Sequence, residues 1–412
     1  MKSNLAAQGR TSLIRMTRGG LLALLPLGLC ALACGEPLAT FADAPRLRAD
    51  RPAAERGQGG EAGRSQAGEQ ASGTGTADGF PRAAADAALA RGLVFLARQQ
   101  ELEQDGSFPA GRGEKAAPVG ITALGALAYM AAGSAPERGP HGQELARAID
   151  YILSRTAPPD HPVHPGYIAD EGDPASRTHG HGLATLALAQ AWSMSPRSAR
   201  GRRIDAALAL ATQRIEVSQG LEGGWAYSPV RGLEHEGSVT ICLVQALRAA
   251  RNVGLRVDPE VIVRAVDYVK ELQDEAGGFR YTLGHETVTV ALTSAGISTL
   301  QAAGLYNTDE VRAAYDFLWR ELAAREVAAE RGASGTAPRF PYYERFYLSQ
   351  ALWQNPDHSV FDRWNLRETT RVIAAQNSDG SWGGSPYGAS YATAMNCLFL
   401  ALPAGLLPIF QR

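Results

Sequence analysis

Two short stretches hold most of the side chains able to move protons. Thr178-His179-Gly180-His181-Gly182 sets two imidazoles two residues apart, and Glu234-His235-Glu236 places an imidazole between two carboxylates. His285-Glu286 repeats that pairing further along, and Tyr342-Tyr343-Glu344 with Tyr347 sets a carboxyl among phenols. Tyr387 and Tyr391 lie near the C-terminal end. Imidazole and carboxyl groups brought together can act as acid and base. His179, His181, Glu234, Glu236, His285 and Glu286 are therefore the catalytic candidates. Trp225, Tyr227, His235, Tyr343, Glu344, Tyr347, Tyr387 and Tyr391 are the binding candidates. Helix capping is the competing account, since carboxylates favour helix N-termini and Ser238 suits an N-cap. Capping explains His179, His181 and His285 less well, because a cation there opposes the helix dipole. The residue pattern calls for no metal ion and no cofactor.

A repeat must position these groups. Gln376-Asn377-Ser378-Asp379-Gly380-Ser381-Trp382 shares a Gln, Gly, aromatic pattern with Gln219…Gly223-Gly224-Trp225 and Gln273…Gly277-Gly278-Phe279. Gln104-Asp105-Gly106-Ser107-Phe108 reads as a degenerate copy, and Gly166 falls in register with the others. A period of roughly 50–60 residues implies stacked or ring-closed supersecondary units. Before each glycine turn lies an amphipathic segment, such as Ile204 to Ile215 or Val261 to Leu272. After it comes a segment apolar nearly all round, such as Ser238 to Leu247 or Val288 to Ala303. A helix without a polar face belongs in the interior. Six outer–inner pairs then predict an all-α fold, a six-hairpin α/α toroid with an inner and an outer helix ring. The candidate residues cluster just before the inner helices, at one mouth of the barrel.

These turns resemble the QW repeats of squalene and hopene cyclases, within the wider superfamily of terpenoid cyclase and protein prenyltransferase α/α toroids. The resemblance covers residues 81–412. It implies that Gln, Gly and the aromatic residue tie an outer helix to the next inner helix, which is structural and not chemical. The family's chemistries transfer poorly. The cyclases carry Asp-x-Asp-Asp at an inner-helix start, and this chain has no such run. The prenyltransferases carry Asp-x-Cys for zinc, where this chain has Glu236-Gly237-Ser238. Cys34-Gly35-Glu36-Pro37 is similar to a thioester motif but ends in Pro and lies in the leader. Toroids that cleave glycans use paired carboxylates with aromatic platforms, which Glu234, Glu236, Glu286 and Glu344 leave open. The reading is a domain that binds a ligand or protein partner at the barrel mouth. The alternative is an enzyme acting on an isoprenoid or a glycan with the same His and Glu groups.

The chain has 412 residues, 45% hydrophobic and 20% charged, with a net charge of −2. That balance is ordinary for a globular protein and gives no reason to expect nucleic acid. Arginines precede the apolar run Leu21 to Ala33, which then meets Cys34. Residues 1–33 read as a signal peptide of lipoprotein type, with Cys34 as the lipidation site and anchor to a membrane. Residues 34–80, rich in Gly, Ser and Thr, read as a flexible linker. The expected location is the cell envelope, as a lipoprotein or otherwise periplasmic or secreted. Cys242 and Cys397 read as buried thiols, with a disulfide between them as the other possibility.

Overall fold

The computed structural model describes residues 79–171, 173–232, 235–332 and 337–410. The proposed signal peptide, most of the linker, Cys34 and Glu234 lie outside the described residues. Among those described, twelve α-helices alternate between two rings, and the only extended pairing is isolated β-bridges. The outer helices are α1 (Arg82–Glu103), α3 (Gly142–Ser154), α5 (Ala199–Ser218), α7 (Pro259–Glu271), α9 (Asp309–Glu330) and α11 (His358–Ala374). The inner helices are α2 (Pro118–Ala131), α4 (Arg177–Met194), α6 (Gly237–Asn252), α8 (Val290–Ala302), α10 (Pro341–Trp353) and α12 (Ala389–Ala401). Each inner helix packs on the next, and α12 packs back on α2. The ring is closed, and the fold is the six-hairpin α/α toroid.

Composition decides which ring a helix joins. Helix α2 buries every residue after Pro118. Helix α7 buries only Val261, Ile262, Ala265, Val266, Tyr268 and Val269, one stripe at helical spacing. One pairing differs from the sequence reading. Outer helices α3, α5, α9 and α11 rest chiefly on the inner helix that precedes them, not the one that follows across the glycine turn. Four-residue connections make tight αα-hairpins of α4–α5 and α10–α11, and the α2–α3 and α8–α9 pairs follow the same pattern across longer links. The same logic seats α1 on α12, joining the two ends of the fold. The longer outer-to-inner connections are thereby collected at one end of the barrel, where all the inner helices begin.

Those connections are pinned at glycine corners. The Gln219 amide donates to the carbonyls of Gly223 at 2.8 Å and Val261 at 2.7 Å. Gln273 does the same with Gly277 and Glu310, and Gln376 with Gly380 and Ala88. Each amide thus ties its own turn to the next outer helix. Gly223 has φ of +93°, and a Cβ there would lie 2.1 Å from the Arg264 carbonyl oxygen. No side chain fits that approach. In the first unit the anchor is Gln100, not Gln104. Gln100 Nε2 donates to Gly106 O at 2.8 Å and Glu144 O at 3.0 Å, while Gln104 ends α1 in the left-handed region. Two extra residues of helix before the turn displaced the signal in the sequence.

The other end of the barrel is closed by the chain after α12. Leu407, Ile409 and Phe410 are buried, residues 408–410 pack on α6, and the Phe410 ring lies 6.1 Å from Phe346 of α10. Deeper in the ring, Gln245 of α6 donates to Gln350 of α10 at 3.1 Å. Access to the interior therefore comes from the mouth.

Candidate functional site

The mouth is a set of interlocked loops. The Tyr227 carbonyl accepts from both the Thr178 amide, 3.3 Å, and its hydroxyl, 2.6 Å, capping the start of α4. The Tyr281 carbonyl accepts from Gly237 N at 2.8 Å, at the start of α6. Asp173 accepts from Val119 N at 3.1 Å, at the start of α2. Each of these loops satisfies free amides of the preceding inner helix, which every helix start leaves open. The backbone around the candidate side chains is fixed from two sides.

Glu236 stands at the centre. It is the N-cap of α6: Oε2 accepts from Val239 N at 2.9 Å, and Oε1 from Ser238 N at 3.3 Å. Ser238 is the second residue of the helix and not its cap, correcting the sequence reading. Its hydroxyl donates to Glu236 Oε1 at 2.6 Å and lies 2.9 Å from His179 Nε2. Tyr281 lies near enough to act on the Glu236 carboxyl, and its hydroxyl meets that of Tyr227 at 3.0 Å. His179, Ser238 and Glu236 thus form one hydrogen-bonded chain, with the Tyr281–Tyr227 hydroxyl pair beside it, and the five residues come from three units. Glu236 is 4% exposed, and burial pushes its carboxyl above the usual range against the pull of Ser238, Val239 and Tyr281. Burial lowers His179 to about 4, so its imidazole is neutral at neutral pH. A proton can be held at Glu236 and passed along the chain by reversing the Ser238 hydroxyl.

Tyrosines surround this chain. Tyr343 and Tyr347 of α10 meet at 4.7 Å with their rings tilted, and Tyr387 meets Tyr391 of α12 at 5.3 Å. The Tyr227 ring lies 6.0 Å from His179, and Tyr387 is near enough to Tyr227 for the phenols to feel each other's charge. Burial and the Glu236 charge both push Tyr227, Tyr281, Tyr343 and Tyr347 above the ordinary phenol range. Tyr343 Oη is buried without a hydrogen-bond partner. Below it, burial pushes the Cys242 thiol up to about 12, so it is a protonated, packed group. Cys242 and Cys397 are both free and buried.

Tyr281 was absent from the sequence candidates. It stands two residues after Phe279, as Tyr227 stands two after Trp225, so the repeat itself carried the signal. The other candidates lie elsewhere. Trp225 is 1% exposed and its indole donates to Ile215 O at 2.8 Å, so it wedges the corner and does not line the mouth. His235 is buried against its own turn, with Nε2 at 2.8 Å from Gly232 O and Nδ1 at 3.2 Å from Glu222. His285 is half-buried with its ring 6.3 Å from Tyr281, and Glu286 is exposed. Glu344 is ion-paired with Arg325 of outer helix α9. His181 Nδ1 accepts from the Ile168 amide at 3.1 Å. In four other units a threonine hydroxyl takes that amide: Thr122, Thr240, Thr293 and Thr393. His181 is the second unit's substitute for that threonine. Among the described residues no three His, Cys, Asp or Glu side chains gather as a metal-ligand set, and no helix is long and apolar enough to cross a membrane.

No family model matches this sequence, and no curated protein matches it. Solved structures do. A cellobiose 2-epimerase from Bacillus thermoamylovorans aligns over 75% of this chain and 95% of its own, at 10% identity and a TM-score of 0.51. The type II terpene cyclase MstE from Scytonema aligns over 79% and 99%, at 16% identity and 0.51. An inactive α-1,6-mannanase variant from Salegentibacter sp., in complex with α-1,6-mannotriose, aligns over 78% and 98%, at 11% and 0.50. The fold is a terpenoid cyclase-like α/α toroid. At these identities the likeness is one of fold, and the toroid's chemistry rests on its own residues.

The buried imidazoles of the toroid have a measurable consequence. Burial lowers His181 to about 3 and His179 to about 4, while the unfolded chain takes up protons near 6.5. Their contribution to stability is therefore present above pH 6.5 and lost as pH falls. Each ring adds a slope of about 1.4 kcal/mol per pH unit below that point. His181→Thr keeps an acceptor for Ile168 and removes one ring, so urea unfolding between pH 7 and pH 5 should show a slope about 1.4 kcal/mol per unit shallower than wild type. An unchanged slope would show that His181 charges freely in the folded protein.

Proposed function

We propose that the barrel mouth is a ligand-binding site, on an exported domain held at a membrane surface through a lipid on Cys34 and the linker that follows. The observation that carries the site is the convergence of the hydrogen-bonded chain His179, Ser238 and Glu236 with the Tyr281–Tyr227 pair, among half-buried tyrosine rings, where the inner helices begin. Aromatic side chains around a few fixed polar groups are what small-molecule sites present. Native mass spectrometry of the full chain as isolated tests it. Wild type should retain a small-molecule mass that Tyr227→Ala and Tyr387→Ala each lose, and equal retention by all three proteins would overturn the reading.

A second reading makes the same residues catalytic. Glu236 is a buried carboxyl with a raised proton affinity, which suits a general acid. Toroids of this fold include a terpene cyclase, a mannanase and an epimerase by name, so an isoprenoid or glycan substrate is compatible with the scaffold. Turnover of such a substrate by wild type, abolished in Glu236→Gln with binding retained, would favour this reading over simple binding.

A further inference from the structure

We propose that the mouth takes a small organic cation, an alkylated ammonium group, seated against Glu236 and the faces of the surrounding tyrosines. This inference rests on the ligand-site reading above and gives its ligand a chemical class.

The first observation is a charge without a partner. Among the described residues no lysine, arginine or histidine forms an ion pair with Glu236, and the groups on its carboxyl are all neutral: Ser238 Oγ and the amides of Ser238 and Val239 donate to it, with the Tyr281 phenol nearby. Buried Asp173, at the start of α2, also has only neutral donors, but the carboxylates nearest the tyrosine-bearing helix α10 are treated differently. Glu344 has Arg325 and Glu368 has Arg345. A carboxylate held away from water without a counter-ion is costly, and a cationic ligand relieves that cost. His179, the nearest imidazole on the chain, is neutral and supplies no charge.

The second observation is the kind of wall. Tyr227, Tyr281, Tyr343, Tyr387 and Tyr391 are all half-buried, so none is wholly sealed in the core. Aromatic faces attract cations, most strongly where water is excluded, and an alkylated ammonium is held by faces without needing a full set of hydrogen bonds. The field of an ionised Glu236 is felt by Tyr227, Tyr281, Tyr343 and Tyr347 together, and the one cation seen on the tyrosine cluster among the described residues, Arg345 over Tyr342, is paired with Glu368. A bare metal ion fits less well, because the described residues offer no three-ligand set. A neutral isoprenoid or glycan uses the rings but not the charge.

Isothermal titration of the full chain with choline and with 3,3-dimethylbutan-1-ol, its uncharged isostere, tests the idea. Choline should bind at least tenfold tighter than the alcohol. Glu236→Gln should erase that advantage, and Tyr387→Leu should weaken choline severalfold; thermal melts verify that both variants fold, and Tyr387→Leu carries the test if Glu236→Gln does not. Dihexanoylphosphatidylcholine, a soluble lipid with the same head group, separates two sources: tighter binding than choline assigns a lipid head, and weaker binding a free solute. Equal or tighter binding of the neutral alcohol overturns the cation and leaves the ligand site standing. No saturation by either probe in the millimolar range, for wild type, overturns both.

Discussion

Trp382→Ala should cost about 3–5 kcal/mol of stability, the range expected when a buried indole is truncated to a methyl group. Trp382 is 2% exposed, its indole donates to Val372 O at 2.8 Å, and its amide donates to Thr393 Oγ1 at 3.1 Å. Its place in the ring makes it more than another core residue. Gly92 of α1 packs directly on it, since a Cβ there would lie 2.9 Å from the indole and 2.7 Å from Cys397 Sγ. The neighbouring Gln376 ties the same corner to the Ala88 carbonyl of α1. Trp382 therefore holds the seam where the last hairpin meets the first helix, the one join that chain connectivity does not provide. Urea unfolding followed by circular dichroism measures the loss, and hydrogen exchange locates it. Amides of α1 should lose protection before those of α5. Trp225→Ala removes an equivalent wedge inside the chain and should loosen its own corner without freeing α1. A loss below about 1 kcal/mol for Trp382→Ala, or uniform exchange in α1 and α5, would mean that the ring does not depend on this seam.

The toroid was legible because its signals are local and repeated. Glycines that need a positive φ, glutamines that tie one carbonyl of the turn and one of the next helix, and aromatic wedges recur in fixed order, and all three are visible as letters. The degenerate first unit shows the limit. Gln100 and Gln104 are both glutamines near Gly106, and only geometry distinguishes which of them reaches Glu144 O. The site was legible as a place more than as a list. The mouth follows from where inner helices begin, and His179, Glu236, Tyr227, Tyr343, Tyr347, Tyr387 and Tyr391 meet there. Their partners were less visible. Ser238 reads as a cap until Glu236 is seen to take that role, and His181 reads as an acid–base group until four threonines are seen doing its work in other units. A side chain's direction on a turn is set by the loops packed against it, and those come from other units. Neither residue type nor spacing encodes it.

Glu236→Gln should invert the order of stability between variant and wild type as pH rises. The Glu236 carboxyl has its proton affinity raised by burial, so the folded protein keeps this proton at pH values where the unfolded chain has released it. The sign follows by linkage. Its contribution is fully present below the unfolded value of about 4.5 and is lost as pH climbs through the raised folded value, at up to about 1.4 kcal/mol per unit. The histidines act in the opposite sense over the neighbouring range, so the wild-type curve alone mixes two trends. The difference between wild type and Glu236→Gln isolates the carboxyl. At low pH the glutamine should be less stable by about 1–3 kcal/mol, because its NH2 group cannot accept from Ser238 or Val239, whereas the hydroxyl oxygen of the protonated carboxyl still accepts while its proton turns to Ser238 Oγ. That gap should close with rising pH and then reverse. A gap that widens instead would mean that the helix dipole and three neutral donors hold the ionised form at ease. The acid reading of the mouth would then fail, while a standing negative charge would still await its cation. Choline titrations of the same two proteins across this range separate the cases: affinity for wild type should rise with pH as the proton leaves, and affinity for the glutamine variant should stay flat.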